Sequence, residues 1–151
     1  MNELKPFDDA LTGLIASLTP KARKALAVTI AKRLRASQQQ RIKRQQAPDG
    51  TPYAARKSQP LRKPKGRIKR EMFAKLRTAR YMKANSSPDA AVVEFAGRVE
   101  RMAAVHHFGL RDRPNVHSKD VQYDERPLLG FDKNSINDVS DTILKYLHTF
   151  N

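Results

Sequence analysis

The stretch from Ala47 to Arg80 constrains the fold more than any other part of the chain. Pro48-Asp49-Gly50 is a turn signal, because Pro fixes φ and Gly tolerates the left-handed region. Pro52, Pro60 and Pro64 follow, each without an N–H donor, and they exclude a regular helix or a central strand. The surroundings are cationic: Lys21 to Lys83 holds 21 Lys/Arg against two acids, within a net charge of +15. Such a stretch faces solvent or a polyanion, either nucleic acid or an acidic protein surface. Anionic lipid fits less well, because the basic helices have narrow apolar faces without Trp.

At 151 residues the chain is expected to be a single domain, 1–151, with an extended basic arm at about 47–66. Its 39% hydrophobic content is low, which implies long exposed segments or surface covered only by partner subunits. The absence of cysteine excludes disulfides and thiolate metal sites. No apolar run reaches membrane-spanning length, and the N-terminus lacks the basic start of a signal peptide.

Periodicity places the elements. Leu4, Phe7, Leu11, Leu14, Ile15 and Leu18 predict a short helix from about Pro6 to Leu18. Thr19-Pro20 restarts a helix, with Thr as N-cap and Pro at the first helical position. That second helix is expected to run to about Gln46, with Ala22, Leu26, Ile30, Leu34 and Ile42 inward and its basic last two turns projecting from the core. Ile68, Met72, Phe73 and Leu76 predict an amphipathic helix from Arg67. Ser87-Pro88-Asp89 and the apolar run Ala90–Gly97 predict a β-hairpin.

Val99, Met102, Ala103, Val105 and His106 mark a helix that Gly109 stops. Arg111 to Arg126 reads as an irregular polar loop in which Val121–Tyr123 forms a short edge strand. A last helix, about Lys133 to Thr149, carries the stripe Ile136, Val139, Ile143, Leu144 and Leu147. The expected fold is α+β: four to five helices packed on a small antiparallel hairpin-based sheet, with a long Pro-rich basic loop.

The chain lacks a glycine-rich phosphate loop, a GxSxG elbow and a catalytic cysteine, so no enzyme, cofactor or metal site is expected. His106 and His107 are adjacent, which points them apart on a helix and suits structural roles better than one metal ion. Sequence-independent DNA binding by the basic block is the rival reading, although no helix-turn-helix, zinc finger or RNA-recognition signature accompanies it.

Three ordered motifs carry a resemblance: PDGTPYAARK at Pro48–Lys57 with RKPKGRIKREMFAKLR after it, VHHFGLRDRP at Val105–Pro114, and ERPLLGF at Glu125–Phe131. In these the chain resembles the phage virion morphogenesis family, and within it the tail-completing members of temperate contractile-tailed phages. The resemblance implies a non-enzymatic virion protein of the tail or neck, present in the host cytoplasm during assembly. It implies a homo-oligomer, a hexameric ring in related necks, that meets the tail tube or its terminator and the head connector, with possible contact to DNA in the lumen. Candidate partner contacts are Arg41, Lys43, Arg44, Arg56, Lys57, Arg62, Lys63, Lys65, Arg67, Arg111 and Arg113. Pro48, Asp49, Gly50, His107, Phe108, Gly109, Arg126, Pro127, Leu129 and Gly130 are the family-motif positions expected to be structural.

Overall fold

The computed structural model describes residues 5–56 and 71–149, without the side chains of 5–8, 11 and 149. The fold is α+β. Its described helices are α1 (Lys5–Ala16), α2 (Pro20–Lys43), α3 (Gly97–Phe108) and α4 (Lys133–Thr149). Strands β1 (Met82–Ser87) and β2 (Ala90–Phe95) form one two-stranded sheet, β3 (Arg111–Asp112) and β4 (Val121–Gln122) the other. The chain divides into two compact units. Unit 1 comprises Met1–Arg35, Ala84–Glu94 and Lys133–Asn151; unit 2 comprises Ala36–Lys83 and Phe95–Asp132.

Unit 1 is held by apolar burial. Leu26 of α2 and Ile143 and Leu147 of α4 form its cluster, with Ile15, Leu18, Ile30, Val139 and Tyr146 packed against it. Each fully buried large side chain contributes about 1.5–3 kcal/mol. Thr19 caps α2 as expected, its Oγ1 accepting from Ala22 N at 3.2 Å. The hairpin turns at Pro88-Asp89, where Asp89 N donates to Ser87 Oγ at 3.2 Å and the side chains of Asn85 and Glu94 bond across the strands. Leu4 and the side chains of Phe7 and Leu11, expected on the α1 stripe, lie outside the described residues.

The stripe of α4 is narrower than expected. Ile143 and Leu147 are buried, but Ile136 is 53% and Leu144 47% exposed. Ser135 and Thr142 take buried places instead, Thr142 returning its hydroxyl to Asp138 O at 2.7 Å. A hydroxyl satisfied within its own helix turns inward at little cost, which periodicity of apolar residues alone does not register. On α3, Ala103 and Val105 are buried while Met102 is exposed.

Unit 2 departs from the sequence reading in two places. The last turns of α2 do not project: Arg41 is 1% and Ile42 0% exposed. The helix ends at Lys43 rather than Gln46, because Gln45 turns left-handed at φ 58°. The helix expected from Arg67 is not formed in its described part, where Glu71 to Tyr81 is a run of turns. The Gln45 amide takes both backbone groups of Met72, accepting from its N at 2.8 Å and donating to its O at 2.9 Å, and Phe73 sits at φ 66°. Those bonds remove Met72 from any helical ladder, although Met72 and Leu76 are still buried. The short strand expected at Val121–Tyr123 in the polar loop after α3 forms as β4 and pairs antiparallel with β3, Arg111 opposite Gln122 and Asp112 opposite Val121.

Candidate functional site

The three motifs of the sequence meet in unit 2. The first is a self-contained turn. Gly50, at φ 87°, donates to Ala47 O at 2.9 Å, and Ala47 N donates to Thr51 O at 2.9 Å. Asp49 Oδ1 accepts from Thr51 N at 2.9 Å, and that backbone donor is the main cause holding the Asp49 carboxyl below its ordinary range. The turn delivers Tyr53, whose hydroxyl donates to Pro127 O at 2.9 Å. Burial pushes the Tyr53 phenol up to about 12, against the pull of Arg41, so it stays a donor.

The second motif is a helix stop. Gly109 closes α3 at φ 66°, and its N–H and that of Leu110 both reach Val105 O, the latter at 2.9 Å. A side chain on Gly109 would bring its Cβ to 2.8 Å from Glu125 N, so the third motif passes where only Gly allows it. There Arg126 N donates to His106 O at 2.8 Å, satisfying a carbonyl of the last helical turn. Leu128 N donates to His107 Nδ1 at 3.1 Å. That bond makes Nδ1 an acceptor, so the imidazole is neutral with its proton on Nε2. Burial first, and then Arg41 against the opposing Glu125, keeps the His107 pKa below its ordinary value and favours that form.

The third motif is gripped from two sides. Arg126 donates through Nε to Ala54 O at 2.9 Å and through Nη2 to Ala55 O at 3.1 Å. Arg41 donates through Nη1 to Gly130 O at 3.0 Å and through Nη2 to Leu128 O at 2.9 Å and to Gln38 Oε1, with Asp132 Oδ2 at 3.4 Å. The same Gln38 oxygen accepts from Gly130 N at 3.0 Å. A Cβ on Gly130 would stand 2.6 Å from Pro48 Cγ, so the first and third motifs touch at van der Waals distance. Burial lowers the Arg41 pKa, opposed by its bond to Asp132, and the guanidinium remains charged. This knot fixes backbone shape; none of its bonds joins a nucleophile to a base.

Among the expected motif positions, Pro48, Asp49, Gly50, His107, Gly109, Arg126, Pro127, Leu129 and Gly130 are drawn into this knot or border it, whereas Phe108 is 63% exposed. Of the expected contact residues, Lys43, Arg44, Arg56, Arg111 and Arg113 are exposed; Arg113 pairs with Asp120 at 3.4 Å. Arg41 is corrected: it is internal, because the carbonyls of the third motif need a multidentate donor. Lys57, Arg62, Lys63, Lys65 and Arg67 lie outside the described residues. Sequence reasoning missed Gln38, Gln45 and Tyr53. A signal existed for Gln38, Arg41 and Gln45, which continue the inward stripe of Leu34 and Ile42 at helical spacing.

Residues 2–148 match the phage virion morphogenesis family. The chain belongs to the phage virion morphogenesis family. It is similar to the tail completion protein S of Escherichia phage P2, 49% identical over 148 residues that cover 97% of this chain and 99% of that protein. No solved structure matches. Among the described residues, no three His, Asp or Glu side chains gather as a metal site, and no helix is long and apolar enough to cross a membrane.

Proposed function

We propose that the chain completes the phage tail and enables head–tail joining, as a non-catalytic component of a homo-oligomeric ring at the neck or top of the tail. The observation that carries this reading is the likeness to tail completion protein S along nearly the full length of both proteins. The knot supports it, since a protein that acts by geometry needs a fixed backbone more than a reactive pocket. A ring that caps a tube needs a heterologous interface that closes, and six copies is the number the family resemblance implies. The tail tube or its terminator would meet one face and the head connector another. Exposed Lys43, Arg44, Arg56, Arg111 and Arg113, and Lys57, Arg62, Lys63, Lys65 and Arg67 in the basic arm, are the contacts we assign to these partners. The protein would act in the virion tail, after synthesis in the host cytoplasm.

Depleting this protein during phage growth should leave unjoined heads and tails, and supplying it in trans should restore complete particles. Joined virions in its absence would refute the reading. Neutralising Arg62, Lys63, Lys65 and Arg67 together should give a folded protein that fails to complete tails; normal phage yield would remove the arm from the contact set.

The charge distribution favours one second reading. Unit 1 holds nine Lys/Arg and seven acids, unit 2 holds 21 and eight, so net charges of +2 and +13 concentrate the cations in one unit. Sequence-independent contact with DNA would use the same surface. Duplex retention should then weaken with the logarithm of salt, with a slope near −0.9 per phosphate neutralised. Tail association with a packed apolar centre should persist at about 300 mM salt, where phosphate contacts alone have faded.

A further inference from the structure

The β1–β2 hairpin leaves backbone groups without partners. Tyr81 O accepts from Ala96 N at 2.7 Å, and Pro88-Asp89 joins Ser87 directly to Ala90, so the two strands run in step from the turn to their open end. In an antiparallel ladder, successive residues alternately bond the partner strand and point away from it. Lys83, Asn85 and Ser87 therefore face Glu94, Val92 and Ala90, while the N–H and C=O groups of Ala84 and Ser86 point to one outer edge and those of Ala91 and Val93 to the other. The burial pattern agrees: Asn85, Ala90, Val92 and Glu94 are exposed, and Ala84, Ser86, Ala91 and Val93 are half-buried. The sheet has two strands, and among the described residues the outward groups of these last four make no backbone hydrogen bond elsewhere.

The edges are also unprotected. Soluble proteins blunt an open edge with Pro, Lys, a bulge or a covering element. β2 has no Pro, Gly, Lys or Arg from Ala90 to Phe95, and its Val92 is 41% exposed. A hairpin of two strands is marginal in water until further strands or helices complete it. We propose that a second copy of this chain completes it, the β2 edge of one copy pairing antiparallel with the β1 edge of the next. The proposal rests on the ring described above and assigns its subunit contact. Copies related by rotation present β2 to β1, so the alternation of strands continues from copy to copy and every edge is paired, as a closing heterologous interface requires. Pairing β2 with β2 would leave both β1 edges open.

Charge favours a second copy over other occupants. The segment Ala84–Glu94 belongs to unit 1, whose net charge is +2 against +13 for unit 2, so copies of this basic chain repel least where the hairpin lies. The same segment holds Asp89 and Glu94 and no cation, so it offers nothing to nucleic acid or to an acidic protein surface. Ala84, Ser86, Ala90 and Ala91 are small enough for a neighbouring strand to approach to about 4.8 Å.

The test is light scattering and amide hydrogen exchange on the full chain at pH 7, from about 10 μM to 1 mM. The mass should rise beyond that of a dimer with concentration, and the amides of Ala84, Ser86, Ala91 and Val93 should exchange about tenfold more slowly at the upper end. Ala91→Pro removes an outward N–H that the hairpin itself does not use, so this variant should keep its folded spectrum and stay monomeric. Val92→Lys leaves every backbone group in place and puts a charge on the exposed face; it should weaken association about tenfold, and it decides the matter if the Pro variant does not fold. A monomer up to about 1 mM, an assembly that stops at two copies, or an oligomer whose four amides still exchange freely would each overturn the proposal. So would a folded Ala91→Pro or Val92→Lys variant that assembles as the unaltered chain does. Protection of the amides only when purified tails are added would give the edge to a tail protein and overturn pairing between copies. The depletion experiment tests the tail role separately, so failure of the edge and failure of that role are distinguishable.

Discussion

In unit 1 the centre is Leu26, Ile143 and Leu147, whereas among the described residues of unit 2 the largest fully buried side chain is that of Arg41. The first kind of core is non-directional. It tolerates exchange of one apolar side chain for another of similar volume, because water is excluded either way. The second is directional: Arg41, Gln38, Tyr53 and His107 hold particular backbone atoms of the third motif, and Arg126 of that motif holds the Ala54 and Ala55 carbonyls of the first, so only one conformation of the third motif satisfies them. A buried charge is weak evidence for stability as such. What it supplies here is a single backbone path, and unit 2 is also where the cationic surface lies.

The sharpest way to break this contrast is to remove the guanidinium. Arg41→Ala should destabilise by about 3–5 kcal/mol, because it leaves the Leu128 and Gly130 carbonyls without their donor. Arg41→Lys should recover little, since an ammonium cannot reproduce the fork. Chemical denaturation measures both, and a cost under about 1 kcal/mol for the Ala variant would show that the knot does not depend on Arg41. In unit 1, Leu147→Ala should cost about 2–5 kcal/mol but Leu147→Met less than about 1.5 kcal/mol. A Met variant as damaging as the Ala variant would erase the difference in tolerance between the units.

Acid should act on unit 2 first. Burial, aided by nearby Arg, lowers the pKa of both His106 and His107 below 6.5 in the folded chain. The unfolded chain therefore takes up protons first as pH falls, so their contribution is complete above about pH 6.5 and is lost below it. Denaturation midpoints at pH 7.5 and 5.5 should drop accordingly. His107→Gln, whose amide oxygen can still accept from Leu128, should reduce the slope; a midpoint that rises on acidification contradicts the assignment. Tyr53→Phe, which deletes one donor to Pro127, should cost about 1 kcal/mol by the same measurement. The smallest effect belongs to Leu144→Ala: at 47% exposure its loss should stay within about 0.5 kcal/mol, and a core-sized loss would restore it to the α4 stripe.

Elements with a simple period and a cap were legible in the sequence. The start of α2 at Pro20, the Gly109 stop, the hairpin turn and the bounds of α4 all follow from residue types that act on their own backbone. The apolar spacing from Ile68 to Leu76 misled, because a helical period records which residues are buried and not whether their backbone groups find partners within a helix. The candidate site was legible only as three separate motifs, since nothing in a linear pattern brings Gly130 against Pro48 or Arg126 to Ala54.

By itself the sequence determined the charge and its concentration, the absence of thiol chemistry, the turn at Pro48–Gly50 and the family to which those motifs belong. Each is a property of composition or of a few neighbouring residues. Only the tertiary structure decided that Arg41 is internal, that Leu144 is not, and that the His106 Nδ1 is buried without a hydrogen-bond partner among the described residues. The physical reason is the same in each case. The burial of a polar or apolar side chain depends on which distant backbone atoms and side chains come to meet it, and those contacts join residues far apart in the chain.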